Sequence, residues 1–161
     1  MRAPTLPVPL EISNLTPEHA QGLLGLFEVL KAHQEDRLFS PHPFTREHVE
    51  GLGQQPRSDL YYVLHTGDFV LGYGLLRGWD EGYPIPSLGI VIHPDHRGRG
   101  LASVLMSFLH AAASVRGAER VRLRVHQSNG RAIQLYRRQG YVFDERPDAA
   151  GLLVAYKALD R

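Results

Sequence analysis

The chain has 161 residues, no cysteine, 43% hydrophobic and 22% charged residues, and a formal net charge of +1. That length points to one domain, 1–161, with enough chain to bury a core without staples. The composition excludes a disulfide framework and a cysteine nucleophile of the chain's own, and the balanced charge announces neither a nucleic-acid nor a membrane partner.

The chain opens with MRAPTLPVPL. Its prolines favour a loose, extended arm over residues 1–9, and it lacks the continuous apolar stretch of a signal peptide. No segment reaches the roughly 18 apolar residues of a membrane-spanning helix, so a cytoplasmic location is expected. Residues 10–15 (LEISNL) alternate apolar and polar, as a half-buried strand does. Thr16 then suits an N-cap, Pro17 the first helical position and Glu18 the positive helix end. Leu23, Leu26, Phe27 and Leu30 mark one face of the helix that follows. A loop with Pro41 and Pro43 leads to a second helix start at Thr45, running to about Leu52.

Residues 60–65 and 69–76 read as a hairpin turning at Thr66, Gly67 and Asp68. RGWDEGYPIP is a long loop with aromatic and acidic residues. SLGIVIHP is a strand stopped by Pro94. Residues 100–116 form a helix with the apolar stripe Leu101, Val104, Leu105, Phe108, Leu109 and Ala112, stopped by Gly117. RVRLRVH alternates, with Val121, Leu123 and Val125 on one face and Arg120, Arg122 and Arg124 on a face read as solvated. Residues 131–139 form a short helix before Gly140, with Arg137 and Arg138 on its solvated side. YVFDE and LLVAYKAL add two strands. In this β-α-α-β-β-β-α-β-α-β-β order, helical crossovers force some parallel pairing and hairpins force antiparallel pairing. The fold class is therefore α/β (α+β) with a mixed sheet.

The junction IHPDHRGRGLASVLMSFLHAA is where chemistry first shows. A helix start leaves backbone N–H groups without partners and adds about half a positive charge. A phosphate oxygen satisfies both. Gly98 and Gly100 let the backbone close round an anion with no Cβ in the way, and Arg97 and Arg99 add attraction. The turn from Arg97 to Ala102 therefore reads as a pyrophosphate cradle. No Lys-Ser/Thr pair follows Gly100, which excludes a Walker loop, and the third glycine of a dinucleotide fingerprint is missing.

Further along, NGRAIQLYRRQGY supplies a second segment. Together the two resemble the GNAT superfamily of N-acetyltransferases. The family's phosphate-binding pattern, Arg/Gln-x-x-Gly-x-Gly/Ala, reads here Arg97-Gly98-Arg99-Gly100-Leu101-Ala102. Its Asn-x-x-Ala-x-x-Leu-Tyr, followed by a Gly-aromatic pair, is matched by Asn129, Ala132, Leu135, Tyr136, Gly140 and Tyr141. The HP ending the preceding strand is matched by His93 and Pro94. The likeness is sharp over residues 87–143 and lies in element order alone over residues 10–76. It implies a mixed, mostly antiparallel central sheet of six to seven strands flanked by four helices. It also implies a splayed parallel pair, SLGIVIHP and RVRLRVH, that holds acetyl-CoA as co-substrate.

The resemblance implies further that pantetheine amides meet main-chain groups of Val91 and Ile92 like an added strand. Asn129 would contact the co-substrate while capping the next helix, and Tyr136 would act as general acid toward the departing thiolate; for Arg137 and Arg138 the CoA phosphates are the alternative to a solvated face. The acceptor's ammonium, with a pKa of about 10, must first lose a proton. Many members carry a glutamate on the strand before HP; Ser87 stands there in this chain. The base is therefore sought nearby: Glu81 first, in a loop expected to bury it partly beside Trp79 and Tyr83, then Asp80, His126 and His42. His93, Asp95 and His96 are thin for a metal, and none is expected. The expected activity is acetyl transfer to a primary amine of a small molecule or peptide by direct attack. The other reading, a non-catalytic acyl-CoA-binding or scaffold domain, needs neither Tyr136 nor a base. The sequence does not set the oligomeric state and leaves a homodimer open.

Overall fold

The computed structural model describes residues 8–54, 57–144 and 146–160. Of the expected N-terminal arm, residues 1–7 lie outside the described residues, as does Glu145 of YVFDE. β1 (Leu10–Asn14) pairs antiparallel with β2 (Leu60–Thr66), β2 with β3 (Phe69–Arg77), and β3 with β4 (Ser87–Ile92). β5 (Arg120–His126) lies parallel to β4, β7 (Leu152–Ala158) antiparallel to β5, and the short β6 (Val142–Phe143) forms the far edge. The order β1-β2-β3-β4-β5-β7-β6 is the mixed sheet that hairpins and crossovers predict. The second crossover, through α4 (Gly130–Arg138), carries the chain past β7. β6 therefore pairs with β7 and not with β5.

Local chemistry explains most element starts. Thr16 N–H donates to His19 Nδ1 at 3.1 Å and His19 N–H donates to Thr16 O at 3.0 Å, a reciprocal closure in which histidine stands where a capping box carries Glu or Gln. That first turn, Pro17–His19, is a 3-10 turn, and α1 proper is Ala20–Ala32. Its residues Leu23, Leu26, Phe27 and Leu30 are buried as the periodicity predicts. Thr45 Oγ1 accepts from His48 N–H at 3.3 Å and opens α2 (Arg46–Gln54).

α3 (Leu101–Val115) departs from its expected face. Leu105, Met106, Leu109 and Ala113 are buried, while Val104 is 51% exposed and Phe108 lies at the boundary. LASVLMSFLHAAASV is apolar almost all round, so its periodicity does not choose a face. Close approach to the sheet does: a Cβ on Gly74 of β3 would sit 2.9 Å from Leu109 Cδ1.

The two helix pairs cover opposite faces. α1 and α2 bury Leu23, Phe27 and Val49 against Val63, Tyr73 and Val91. α3 and α4 bury Leu105, Leu109 and Tyr136 against Val121, Leu123 and Val125. The α1/α2 core takes residues from β2, β3 and β4 and none from β5 or β7, which leaves that end of the sheet face uncovered. This bare corner positions the site.

Two histidines sit inside these layers. His42 Nε2 lies 2.8 Å from Tyr73 Oη, and His110 Nε2 lies 2.8 Å from Tyr141 Oη. Burial pushes both down to about 4. An unfolded histidine titrates at about 6.5, so between pH 6.5 and 4 the unfolded chain binds more protons. Stability is therefore complete above pH 6.5 and falls as pH drops toward 4. The expected loss is on the order of 2 kcal/mol for His42 and about half that for the less buried His110 after solvent screening. Urea midpoints at pH 7.5 and 4.5 should differ accordingly, and the difference should shrink in a His42→Gln/His110→Gln variant. Equal pH dependence in both proteins would show that these histidines do not set it.

Candidate active site

β4 and β5 meet at one described pair, Ser87 opposite Arg122, where Arg122 N–H donates to Pro86 O at 2.9 Å. Beyond it the strands part. On the β3 side, His93 N–H donates to Leu71 O at 2.7 Å. Main-chain groups alternate sides along a strand, so Gly89 and Val91 turn toward β3, and Leu88, Ile90 and Ile92 turn toward β5. The Ile92 carbonyl accepts from Arg97 Nε–H at 3.2 Å. The Ile90 groups and the Ile92 N–H face the gap. Of the two residues expected to offer main-chain contacts, Ile92 has its N–H there, whereas the main-chain groups of Val91 serve the β3 ladder.

A cavity of about 380 Å³ fills this gap under the start of α3 and the flank of α4. Its wall contains Val91, Ile92, Arg97, Gly98, Gly100, Leu101, Ala102, Asn129 and Tyr136. These residues come from three separate elements and the turn. Arg99, expected among them, is exposed and outside that wall. Gly98 and Gly100 have φ of +81° and +79°, the left-handed region that favours glycine. A Cβ at either would meet nothing within 4 Å. The open side of the turn is thus free to receive a ligand at the N-terminus of a 15-residue helix. These features fit a pyrophosphate and an amide-bearing arm.

The structure adds a residue with no sequence signal of its own. Arg97 donates two parallel bonds to Glu35, Nη1 to Oε1 and Nη2 to Oε2, each at 2.8 Å. Arg131 Nη2 lies 3.6 Å from Glu35 Oε1. The Arg97 bonds, with Arg131 behind them, hold the Glu35 carboxyl below the usual carboxylate range despite partial burial. Arg97 therefore anchors the turn to the loop after α1 as well as lining the cavity. Glu35 lies in a loop with no motif, and only the fold brings it to Arg97.

Tyr136 is 8% exposed, and burial pushes its hydroxyl up to about 12. It is a protonated donor at neutral pH, and no protein hydrogen bond engages its hydroxyl among the described residues. Asn129 Oδ1 accepts from Ala132 N–H at 3.4 Å, so it caps α4 while its residue lines the cavity.

A second cavity of about 680 Å³ lies on the bare corner of the α1/α2 face. It shares Leu38, Phe39, Leu88, Gly89 and Arg124 with the first. The two spaces therefore meet at the β4–β5 gap. Of the residues weighed as base, Glu81 alone lines it, with Ser87 and Tyr83. The expected burial of Glu81 is not found: Glu81 is exposed and Tyr83 is 61% exposed. Trp79 is turned away, packed under the Arg116 guanidinium at 5.4 Å. Asp80 holds the chain together locally, its carboxylate accepting from Ser58 N–H at 2.8 Å and Asp59 N–H at 3.3 Å. His126 is tied to Ser128 and His42 to Tyr73, and neither lines either of these two cavities. Among the described residues, no three His, Cys, Asp or Glu side chains gather as a metal site.

The same fold recurs in solved structures of acetyltransferases. One is the PaiA N-acetyltransferase from Thermoplasma acidophilum in complex with coenzyme A. It superposes with a TM-score of 0.78 at 14% identity, covering 93% of this chain and 99% of that one. The acetyltransferase (GNAT) family model matches residues 27–141, and the chain belongs to that family. Among curated relatives, acetyltransferase SG1711 of Sodalis glossinidius is 32% identical over 52% of this chain and 57% of its own length. The mycothiol acetyltransferase of Streptomyces coelicolor is 31% identical over 77% of this chain and 38% of its own length. The chain thus spans between nearly two fifths and somewhat over half of these relatives.

Proposed function

We propose that this protein transfers an acetyl group from acetyl-CoA to a primary amine of a small molecule or peptide by direct attack. One observation carries the reading: the two cavities meet at Leu88 and Gly89, with a protonated tyrosine in one and a carboxylate on the other. In this reading the α3 N-terminus and the Gly98–Gly100 turn hold the pyrophosphate. The Ile90 groups pair with the pantetheine amides. The Ile92 N–H points into the gap, where a donor stabilises charge developing on the thioester oxygen. Glu81 accepts the proton of the incoming ammonium. The freed amine bonds to the thioester carbon; as the C–S bond breaks, Tyr136 passes a proton to the departing sulfur and takes up the second proton the nitrogen sheds, so that an amide and a free thiol result and the tyrosine ends protonated. No step calls for a metal. Among the described residues no helix is long and apolar enough to cross a membrane; the cytoplasm is the proposed location.

The test is free-thiol release from acetyl-CoA across classes of amine. Tyr136→Phe removes one hydroxyl and keeps the ring packed against Tyr141 at 5.8 Å. A thiolate is a good leaving group, with a thiol pKa of about 8.5. The expected loss in kcat is therefore about tenfold, below the usual span of about 10²–10⁴ for general acid catalysis, with the KM for acetyl-CoA unchanged. Full kcat in the variant, with chemistry limiting turnover, would leave Tyr136 a packing residue. Coenzyme A binding without thiol release on any amine would favour a scaffold domain.

A further inference from the structure

Arg77 of β3 lies opposite Ser87 of β4, Ser87 opposite Arg122 of β5, and Arg122 opposite Tyr156 of β7. These four residues form one row across four strands, and all of them line the 680 Å³ cavity. Neighbouring strands are about 4.8 Å apart, so the two arginine stems rise on either side of the Ser87 hydroxyl. Arg124, one step along β5, lines the same space. Against these three guanidiniums the lining offers one carboxylate, Glu81.

The arginines are unequally committed. Arg124 is paired with Asp148 at 3.1 Å. Arg77 gives one Nη1 bond to Pro41 O, which leaves most of its donors over. Among the described residues, neither Arg77 nor Arg122 has a carboxylate within ion-pair distance. A strand face of alternating arginines is ordinarily solvated, but here the row is the floor of a concavity whose volume suits a small molecule. Guanidinium forks on both sides of a hydroxyl match the oxygens of a carboxylate or phosphate.

We infer that the acceptor is a small amine that also carries an oxyanion, a carboxylate or a phosphate, held by Arg122 and Arg77 over Ser87. The inference rests on the acetyl-transfer reading and names its substrate class. The oxyanion is the anchor, and the ammonium end is drawn to Glu81, the carboxylate on the same cavity. The same charge arrangement disfavours polyamines, which bring positive charge to a guanidinium row.

Kinetics and binding are measured together on a matched panel: free amino acids, their carboxamides, O-phosphoethanolamine and spermidine. The amino acids and O-phosphoethanolamine separate carboxylate from phosphate as the anchored group. We expect kcat/KM for the better oxyanion class to exceed that for carboxamides and spermidine by about 10²-fold, because a site built for a charged group rejects the analogue lacking it. Arg122→Gln lies on an uncovered face and should fold. It should erase that preference while changing carboxamide turnover less than about threefold, and Arg122→Lys should restore part of it. Preference for spermidine or carboxamides, or an equal loss on all acceptors in Arg122→Gln, would overturn the inference. Calorimetric titration of the panel into protein saturated with coenzyme A separates the two readings. Arg122-dependent binding of oxyanionic amines without turnover supports the pocket and removes acetyl transfer. Turnover with no Arg122-dependent binding removes the pocket and keeps acetyl transfer.

Discussion

Replacing Gly100 by valine is expected to weaken coenzyme A binding at least about 10²-fold. Gly100 is the N-cap of α3 at φ +79°, a conformation that costs a β-branched residue of order 1–3 kcal/mol. The protein can avoid that strain only by turning the peptide, and turning it misaims the first N–H groups of the helix. If it does not turn, the new side chain enters the open side of the cradle. Either outcome removes the proposed phosphate site, and each factor of ten corresponds to about 1.4 kcal/mol of binding. Nothing lies within 4 Å of the added Cβ, so the core is undisturbed. Gly117, at φ +88° with equally open surroundings, is the control. Gly117→Val carries the same backbone strain at the far end of α3 and should leave affinity unchanged. Gly100→Asn, which tolerates the left-handed region, should lose less than valine. Calorimetry decides: equal affinity in wild type and Gly100→Val would remove this turn from the binding site.

Glu81→Gln is expected to lower kcat/KM for the acceptor roughly 10²-fold, within the span for a lost general base, with coenzyme A affinity intact. The ammonium has no lone pair until it gives up a proton, and Glu81 is the carboxylate that lines the larger cavity, the proposed acceptor site. Glutamine keeps the shape and the polarity and removes the basicity. The defect should shrink as pH rises toward the amine's own pKa of about 10, where free amine no longer needs a base. A purely structural loss would stay constant with pH. If the rate at neutral pH is unchanged, Glu81 is not the base. Proton loss through ordered water then becomes the working mechanism, since Asp80 is bonded to backbone N–H groups and His126 and His42 lie off both cavities.

What the sequence by itself determined is local in origin. The two-residue alternation of RVRLRVH set which of its side chains enter the core, and Val121, Leu123 and Val125 are buried. The spacing of Leu23, Leu26, Phe27 and Leu30 set the buried face of α1. The glycine turn and the NGRAIQLY segment supply ten of the residues that line the smaller cavity, because a left-handed backbone and a helix start are written in neighbouring residues. Where many residues of one helix are apolar, as in α3, the pattern is degenerate, and packing against Gly74 chose the face.

Tertiary structure alone decided the rest. Glu35 meets Arg97 across 62 residues of chain. Strand register, not strand pattern, puts Arg77, Ser87, Arg122 and Tyr156 in one row. The β3 ladder decides that Ile92, and not Val91, turns its N–H to the gap. Burial likewise separates Tyr136, driven up to about 12, from Glu81, left in solvent on a loop. Periodicity states which side of an element is apolar. Which distant groups share that side, and how much water reaches them, depends on pairings the local pattern does not encode.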